Sequence, residues 1–240
     1  MIERLLARMN PLLVADRLPG GLLARAERLA AYAALRGALD RMRIGCVLDV
    51  GANRGQFASL LRRLGYRGPI VSFEPNPAAF AVLQATFGAD PAWRGFPYAL
   101  GAAHDRLVLH VPETSEYGSL LGLERSGQAE LHAVETDVRR LDAVFDEVTR
   151  GLAAERFFLK TDTQGYDVEV LRGAAGCLER VWGLLAELSV VPLYDGAPRY
   201  TDALAYYESL GFALLHLSVV KHNERDGTVM EYDGLFVRPS

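Results

Sequence analysis

Short, continuously apolar runs that alternate with amphipathic stretches restrict the fold of this sequence more than any other feature. A strand that is apolar on both faces is typical of a parallel sheet covered by helices on its two sides. The predicted elements, in chain order, are a helix over residues 21–42, a strand over 46–50, a helix over 57–64, a strand over 69–74, a helix over 78–87, strands near 98–100, 107–111 and 134–138, a helix over 141–148, a strand over 157–162, a helix over 167–174 and a strand over 184–188. The pattern predicts an α/β fold with a mostly parallel sheet.

The C-terminal part of the chain departs from this alternation. A helix over residues 202–210 is followed by strands over 212–220 and 230–237, and the polar turn between the strands contains Asp226 and Gly227. Two strands joined by such a turn pair antiparallel. A mostly parallel sheet with helices on both faces and a C-terminal antiparallel hairpin is the Rossmann-like arrangement of class I methyltransferases, which we take as the predicted fold class.

The composition excludes several kinds of protein. With 240 residues, 50% of them hydrophobic, the chain is long enough to bury one large core. Its net charge of −4 argues against a general nucleic-acid binder, which usually carries a basic face. No stretch reaches the roughly 20 uninterrupted apolar residues that cross a bilayer. Cys46 and Cys177 stand in apolar surroundings without metal-ligand spacing, so we expect reduced thiols in a cytoplasmic protein.

A glycine turn follows the first predicted strand, in the sequence VLDVGANRGQF at residues 47–57. Gly51 can adopt backbone angles that other residues disfavour, and Gly55 allows the main chain to approach a ligand closely. The turn lies at the carboxyl end of a strand, where open α/β sheets bind their ligands. The alternative is a glycine turn without a ligand. We favour a cofactor loop, and its predicted contacts are Gly51, Ala52, Asn53, Gly55 and Gln56.

Glu74, at the end of the second strand, indicates a cofactor that contains ribose, because a carboxylate there can accept hydrogen bonds from both hydroxyls. NAD and S-adenosylmethionine share that requirement. The spacing Gly-x-x-x-Gly lacks the third glycine of the pyrophosphate-binding pattern, which favours S-adenosylmethionine over NAD and an oxidoreductase. Asp49 could pair with the cofactor ammonium, directly or through water, and Asn53 or Gln56 could hydrogen-bond its carboxylate. Further predicted cofactor contacts are Pro75, Asn76, Ala99, Leu100 and Asp162.

Beyond these motifs, the sequence resembles the FkbM-type methyltransferases from residue 47 to residue 238. The segments that carry the resemblance are LDVGANRG at 48–55, SFEPNP at 72–77, YALG at 98–101, SL at 119–120, VRRLD at 138–142, LKTDTQGYDVEVLRGA at 159–174 and YDGLFV at 232–237. Of these, the segment at 160–174 is far more specific than the glycine motif. The resemblance implies methyl transfer to oxygen, typically a hydroxyl on a sugar or another natural-product scaffold. A cofactor-binding interaction module without catalysis is the alternative of another class.

The first forty or so residues lie outside the resemblance. We divide the chain into an N-terminal helical cap region, residues 1–43, and a methyltransferase domain, residues 44–240. The arginines and leucines of the first region also fit a basic amphipathic membrane helix. A cap over the core or the cofactor cleft is favoured, because Glu3, Asp16 and Glu27 dilute the basic character.

Two carboxylates are predicted at the cleft: Asp162, which ends the fourth core strand, and Glu187, which lies in the fifth. Transfer to a hydroxyl needs a group that removes the proton, and both are candidate catalytic residues. Their placement also resembles the magnesium site of catechol-type O-methyltransferases, so a divalent cation such as Mg²⁺ held by both is a second hypothesis. Asp162 could instead cap the helix that begins near Gly165, and Glu187 could instead hold a neighbouring loop. Lys160 shares the strand face of Asp162 and could pair with a carboxylate.

Other side chains are candidates for the acceptor side of the cleft. Among the histidines, His216 in the sixth strand is the candidate base. Predicted substrate contacts are Tyr117, Ser119, Gln164, Tyr194 and His222. The expected partner is a small-molecule or glycan acceptor rather than a nucleic acid, and association into a homo-oligomer is left open.

Overall fold

The computed structural model describes residues 20–112, 119–121, 130–192, 194 and 196–239. The helices are α1 (Gly20–Arg41), α2 (Gln56–Arg63), α3 (Pro77–Phe87), α4 (Leu141–Val148), α5 (Asp167–Arg172) and α6 (Tyr200–Ser209). The strands are β1 (Cys46–Val50), β2 (Ile70–Phe73), β3 (Trp93–Phe96), β4 (Ala99–Leu100), β5 (Asp105–Pro112), β6 (Glu130–Arg139), β7 (Phe157–Thr161), β8 (Val181–Ser189), β9 (Ala213–His222) and β10 (Val229–Val237). A short 3₁₀ turn at Leu178–Arg180 precedes β8.

The main sheet has seven strands in the order β3-β2-β1-β7-β8-β10-β9. The first five strands of that order pair in parallel. β10 pairs antiparallel with both β8 and β9, so the C-terminal hairpin closes one edge of the sheet. This topology confirms the predicted class I methyltransferase fold, including its hairpin.

The predicted third strand, expected to end near residues 98–100, corresponds to two short strands in different sheets. The strand that joins the main sheet is β3, which ends at Phe96. Pro97 follows at once, and because proline has no amide hydrogen it cannot donate to a sheet ladder. Residues 99 and 100 form β4 instead, in a separate three-stranded sheet of order β4-β6-β5. The predicted strands near 107–111 and 134–138 exist as β5 and β6, but they belong to this small sheet.

Two hydrophobic clusters cover the two faces of the main sheet. Phe157 and Phe158 are neighbours in β7, both fully buried, and each belongs to a different cluster. Leu235 and Phe236 divide in the same way on β10, because successive side chains of a strand point to opposite faces. Burial on both faces explains why the strands are apolar without alternation.

Helix α1 packs onto one of these faces. Its residues Leu35, Ala38 and Leu39 are buried in the cluster that contains Phe158 and Leu235. The helix was predicted over residues 21–42, and the structure confirms a helix there. Across the described part of the chain, no helix is both long and apolar enough to span a membrane. Cys46 and Cys177 are buried free thiols.

Candidate active site

A cavity of about 350 Å³ lies at the carboxyl ends of the central strands. That volume falls within the range of small-molecule sites. Ten of the side chains or turns predicted for cofactor and acceptor line it: Gly51, Ala52, Asn53, Gln56, Glu74, Pro75, Ala99, Leu100, Asp162 and Gln164. The parallel strands therefore bring the glycine turn, the Glu74 strand end and the Asp162 strand end to one place.

The glycine turn is shaped by its neighbours in the fold. Gly51 has a φ of 70°, and a Cβ there would lie 2.0 Å from the carbonyl oxygen of Asp162. The amides of Gly51 and Ala52 both donate to the carbonyl of Phe73 at 3.0 Å. Glycine is therefore required because the loop after β7 passes directly over the turn, which is a packing reason that sequence analysis did not foresee.

Two predicted cofactor contacts lie behind the cavity wall. A Cβ on Gly55, whose φ is 91°, would lie 2.5 Å from the ring of Phe87, so Gly55 accommodates α3 and not a ligand. Asn76 caps α3, because its side-chain oxygen accepts hydrogen bonds from the amides of Ala78 and Ala79. Neither residue lines the cavity.

Glu74 is held rigidly at the cavity. Its carboxylate oxygens accept hydrogen bonds from the backbone amides of Asn53, at 2.7 Å, and Asn76, at 2.8 Å. Burial raises the pKa of Glu74, and the two amide bonds oppose that rise. Each oxygen keeps a further lone pair, so the carboxylate can still accept a ribose hydroxyl. These residues fit the nucleoside part of S-adenosylmethionine.

Asp49 lies beneath the cavity and pairs with the ammonium of Lys160. It is fully buried, and its Oδ1 is 3.2 Å from the ammonium of Lys160, the residue beside it in the β1–β7 register. The hydroxyl of Ser72 donates to its other oxygen at 3.4 Å. The carboxylate of Asp49 is therefore paired with an ammonium of the protein itself, and Asp49 does not line the cavity; its pairing with the cofactor ammonium stays a prediction.

Gln164 gathers most of the predicted acceptor-side residues into one cluster. It has a left-handed φ of 54°, and its side-chain amide nitrogen donates to Asp162 Oδ1 at 3.3 Å and to Glu187 Oε2 at 3.2 Å. Its side-chain oxygen accepts from the hydroxyl of Tyr194 at 2.7 Å, and its backbone carbonyl accepts from the hydroxyl of Ser119 at 2.9 Å. Four candidates that the sequence left separate, Asp162, Glu187, Tyr194 and Ser119, thus meet at one residue, Gln164.

The carboxylates around this cluster repel one another. Burial, followed by the charges of Asp162 and Glu231, raises the pKa of Glu187 well above its ordinary value. Burial also raises the pKa of Asp233 to about 7, with Asp162 adding to the effect. Asp233 lies opposite Glu187 in the β8–β10 register and lines the cavity. Sequence analysis gave Asp233 no role, because its neighbours depend on the register of the hairpin.

Helix packing supplies further cavity-lining side chains that the sequence did not single out. Tyr32 reaches the cavity from α1, and Leu60 and Arg63 reach it from α2 together with the predicted Gln56. Residues 56, 60 and 63 share one face of a helix by their spacing. That spacing is the signal from which the α2 wall could have been predicted.

The two histidines stand away from the cavity. His216 lies on β9, the edge strand of the main sheet, opposite Leu235 of β10. It does not line the cavity. His222 ends that strand, exposed, with its Nδ1 3.1 Å from the carbonyl of Gly227. The structure therefore does not bring either side chain to the predicted acceptor pocket, because β10 separates β9 from β8. Tyr117 lies outside the described residues.

The predicted magnesium site does not fit the side chains. Within residues 20–112, 119–121, 130–192, 194 and 196–239, no group of three or more His, Cys, Asp and Glu is placed to hold a metal ion. The amide nitrogen of Gln164 donates to both Asp162 and Glu187, in the position that a shared cation would need. The helix-capping alternative for Asp162 fails as well, since the N-cap residue of α5 is Tyr166 and no side chain caps it.

The sequence matches a known protein family and a relative of known name. Residues 49–214 match the family model of the methyltransferase FkbM domain. Methyltransferase 1 of Beauveria bassiana (strain ARSEF 2860) is 27% identical over 185 residues, which are 70% of this chain and 72% of that protein.

Solved structures resemble the chain at a greater distance. TehB from Haemophilus influenzae is 13% identical with a TM-score of 0.47, and the match covers 85% of this chain and 60%, less than two thirds, of that one. Fibrillarin of Aeropyrum pernix, solved with natively bound S-adenosylmethionine, is 12% identical with a TM-score of 0.44, over 79% of this chain and 66% of that one. The family match alone spans more than half of the sequence, and the chain therefore belongs to the family of FkbM-domain methyltransferases.

Proposed function

We propose that the chain transfers the methyl group of S-adenosylmethionine to a hydroxyl oxygen of a sugar or another natural-product scaffold. The observation that supports this most is the placement of Asp162 and Gln164 at the wall of the cavity that also contains the Gly51 turn and Glu74. The cofactor supplies an electrophilic methyl group when it is bound. The chain must bind its nucleoside, orient the acceptor and accept the proton that the hydroxyl loses.

Asp162 is the proposed base. Its side chain is 37% exposed and lines the cavity, so an acceptor hydroxyl can reach it. Glu187 is a poorer candidate, because it does not line the cavity that an acceptor hydroxyl would enter. Gln164 then holds the Asp162 carboxylate through its amide nitrogen. In this proposal Glu187 anchors Gln164 and does not take part in the proton transfer.

The acceptor is proposed to be rich in hydroxyl groups. Gln164, Tyr194 and Ser119 are joined by hydrogen bonds, and Gln164 lines the cavity beside Asp162. Side chains that combine donors and acceptors in this way suit a polyhydroxylated molecule. We also propose that helix α1 of the N-terminal region caps the cofactor cleft, which is supported by Tyr32 of α1 at the cavity wall.

Binding and turnover test the proposal separately. Calorimetric titration with S-adenosylhomocysteine should give a single binding event, and NAD should give none. Transfer of labelled methyl groups to a panel of glycosides should then identify the acceptor, with simple amines as the control panel. Binding without transfer to any acceptor would favour the interaction module, and transfer to amines alone would contradict O-methylation.

Replacing Glu74 should weaken the binding of the cofactor. We expect Glu74→Ala to cost about 1–3 kcal/mol of affinity for S-adenosylhomocysteine, because the ribose hydroxyls lose a charged acceptor. Glu74→Gln, which keeps one acceptor oxygen, should fall between the parent and the alanine variant. Melting temperatures are measured beside the titrations, since Glu74 also holds the amides of Asn53 and Asn76. Unchanged affinity in a folded alanine variant would remove Glu74 from the binding site.

Chelation should leave the activity unchanged. We expect full turnover after prolonged dialysis against excess EDTA, because the amide nitrogen of Gln164 donates hydrogen bonds to both Asp162 and Glu187 where a shared cation would bind. The measurement compares initial rates before and after dialysis, and again after Mg²⁺ is added. A collapse of turnover that Mg²⁺ reverses would restore the metal site and replace the carboxylate base by a metal-assisted mechanism.

A further inference from the structure

Lys160 lies where the cofactor loop and the proposed base approach each other. Its ammonium donates to the carbonyl of Gly51 at 2.8 Å and to that of Val50 at 3.4 Å. It is 3.2 Å from Asp49 Oδ1 and 3.5 Å from Asp162 Oδ2. Four oxygen atoms from β1, the glycine turn and the end of β7 therefore surround one buried cation.

The charges around Lys160 come from every element that borders it. The carboxylates that act on it or feel its charge are Asp49 on β1, Glu74 after β2, Asp162 after β7, Asp167 on α5, Glu187 on β8 and Asp233 on β10. The ring of Phe57, on α2, lies 5.8 Å from its ammonium. Burial acts to lower the pKa of Lys160, but the charges of Asp49, Asp162 and Glu187 outweigh burial and raise it. The side chain is therefore an ammonium ion at neutral pH.

We propose that Lys160 is a positioning residue for methyl transfer, an inference that rests on the proposed function. Its ammonium links the Gly51 carbonyl to the Asp162 carboxylate and so fixes the base relative to the cofactor loop. Asp49 supplies the counter-charge that keeps the ammonium in place. Without the cation, Asp162 would face the carboxylates of β8 and β10 with only Gln164 as a partner. The position of the Asp162 carboxylate then depends on Lys160.

A purely structural role is the competing explanation. A buried lysine could exist only to neutralise the buried Asp49, and its loss would then act through an uncompensated charge in the core. Removing both partners of a buried pair relieves that penalty, since neither charge is left alone. A positioning role toward Asp162 would not be relieved, because the second substitution does not return a cation to the cavity wall.

The test uses Lys160→Met, Asp49→Asn, the double variant and Lys160→Arg in the full chain. For each variant we measure melting temperature, affinity for S-adenosylhomocysteine, and kcat and KM. Lys160→Met should reduce kcat at neutral pH by about 10- to 100-fold, up to the lower end of the scale of general-base assistance. The KM of the acceptor and the affinity for S-adenosylhomocysteine should stay close to those of the parent, because the proposed role acts on the base and not on the binding of either ligand.

The other variants separate the two explanations. Asp49→Asn should keep a kcat close to that of the parent, whatever its melting temperature, because Lys160 still faces Asp162. The double variant should regain the melting temperature that Lys160→Met loses but keep its low kcat. Lys160→Arg, which retains a cation, should restore most of the parent's kcat. Recovery of the parent's kcat in the double variant would overturn the positioning role, as would a parent-like kcat in Lys160→Met.

The result for the parent chain separates this inference from the function on which it rests. A parent that neither binds S-adenosylhomocysteine nor transfers a methyl group contradicts the proposed function itself. A parent that is active, with Lys160 variants that share its kcat, contradicts only the role of Lys160. If Lys160→Met does not fold, the double variant and Lys160→Arg still decide between the two explanations.

Discussion

We expect Asp162→Asn to give a folded protein that binds S-adenosylmethionine within a few-fold of the parent but turns over at least about 100-fold more slowly. The amide has nearly the size of the carboxylate and keeps one acceptor oxygen. It carries no negative charge and is a very poor proton acceptor, so it cannot take the proton of a hydroxyl. We therefore expect Asp162→Asn to keep its affinity for the cofactor and to lose turnover.

The surroundings of Asp162 explain why folding should survive. Its side chain is partly exposed and contacts the side chains of Lys160 and Gln164, not the backbone of α5. The part of the residue that the glycine turn packs against is its backbone carbonyl, which the substitution leaves in place. A modest loss of stability is expected, because one amide group must satisfy two neighbouring donors.

Asp142 offers a matched control for this variant. Its carboxylate accepts hydrogen bonds from the side chain of Arg140 and the amide of Gly176, and it does not line the cavity. Asp142→Asn should therefore lower the melting temperature without changing turnover. Turnover, cofactor affinity and melting temperature are measured on one preparation of each variant. Near-normal turnover in Asp162→Asn would exclude Asp162 as the base.

The local motifs could be predicted from the sequence because their meaning depends on neighbours in the chain. Gly51 follows β1 directly and Glu74 follows β2 directly, so their arrival at one sheet edge needs only the assumption of parallel strands. The continuous apolar runs were equally informative. Phe157 and Phe158 are both buried because helices cover both faces, which is the condition from which a parallel sheet was predicted.

Contacts between distant segments could not be predicted in the same way. Asp49 and Lys160 are paired by the β1–β7 register, and no local pattern states which residues of two strands will lie opposite each other. From the sequence alone we therefore predicted that Asp49 contacts the cofactor, whereas in the structure its carboxylate pairs with Lys160. The positions of Asp233 and His216 could not be predicted for the same reason. The strand pairing of the hairpin places Asp233 opposite Glu187, and it places His216 on the outer strand.

Backbone geometry at Gly51 leads to the second large effect that we expect. Gly51→Ala should destabilise the fold and abolish measurable binding of S-adenosylhomocysteine, and Gly51→Val should do worse. The φ of 70° strains any L-residue, which costs roughly 1–2 kcal/mol. The larger effect comes from the new Cβ, which would lie 2.0 Å from the carbonyl oxygen of Asp162. Because that atom belongs to the backbone, the loop that carries the proposed base must move.

Gly227 separates the strain from the collision. Its φ of 74° is close to that of Gly51, yet a Cβ there would meet nothing within 4 Å. Gly227→Ala should therefore show the strain alone, with a small drop in melting temperature and unchanged cofactor affinity. The difference in melting temperature and cofactor affinity between the two alanine variants then measures the cost of the collision between the new Cβ and the Asp162 carbonyl. Equal effects on stability and affinity in both variants would mean that the loop after β7 does not press on the glycine turn, and the cavity geometry on which the proposed mechanism rests would be wrong.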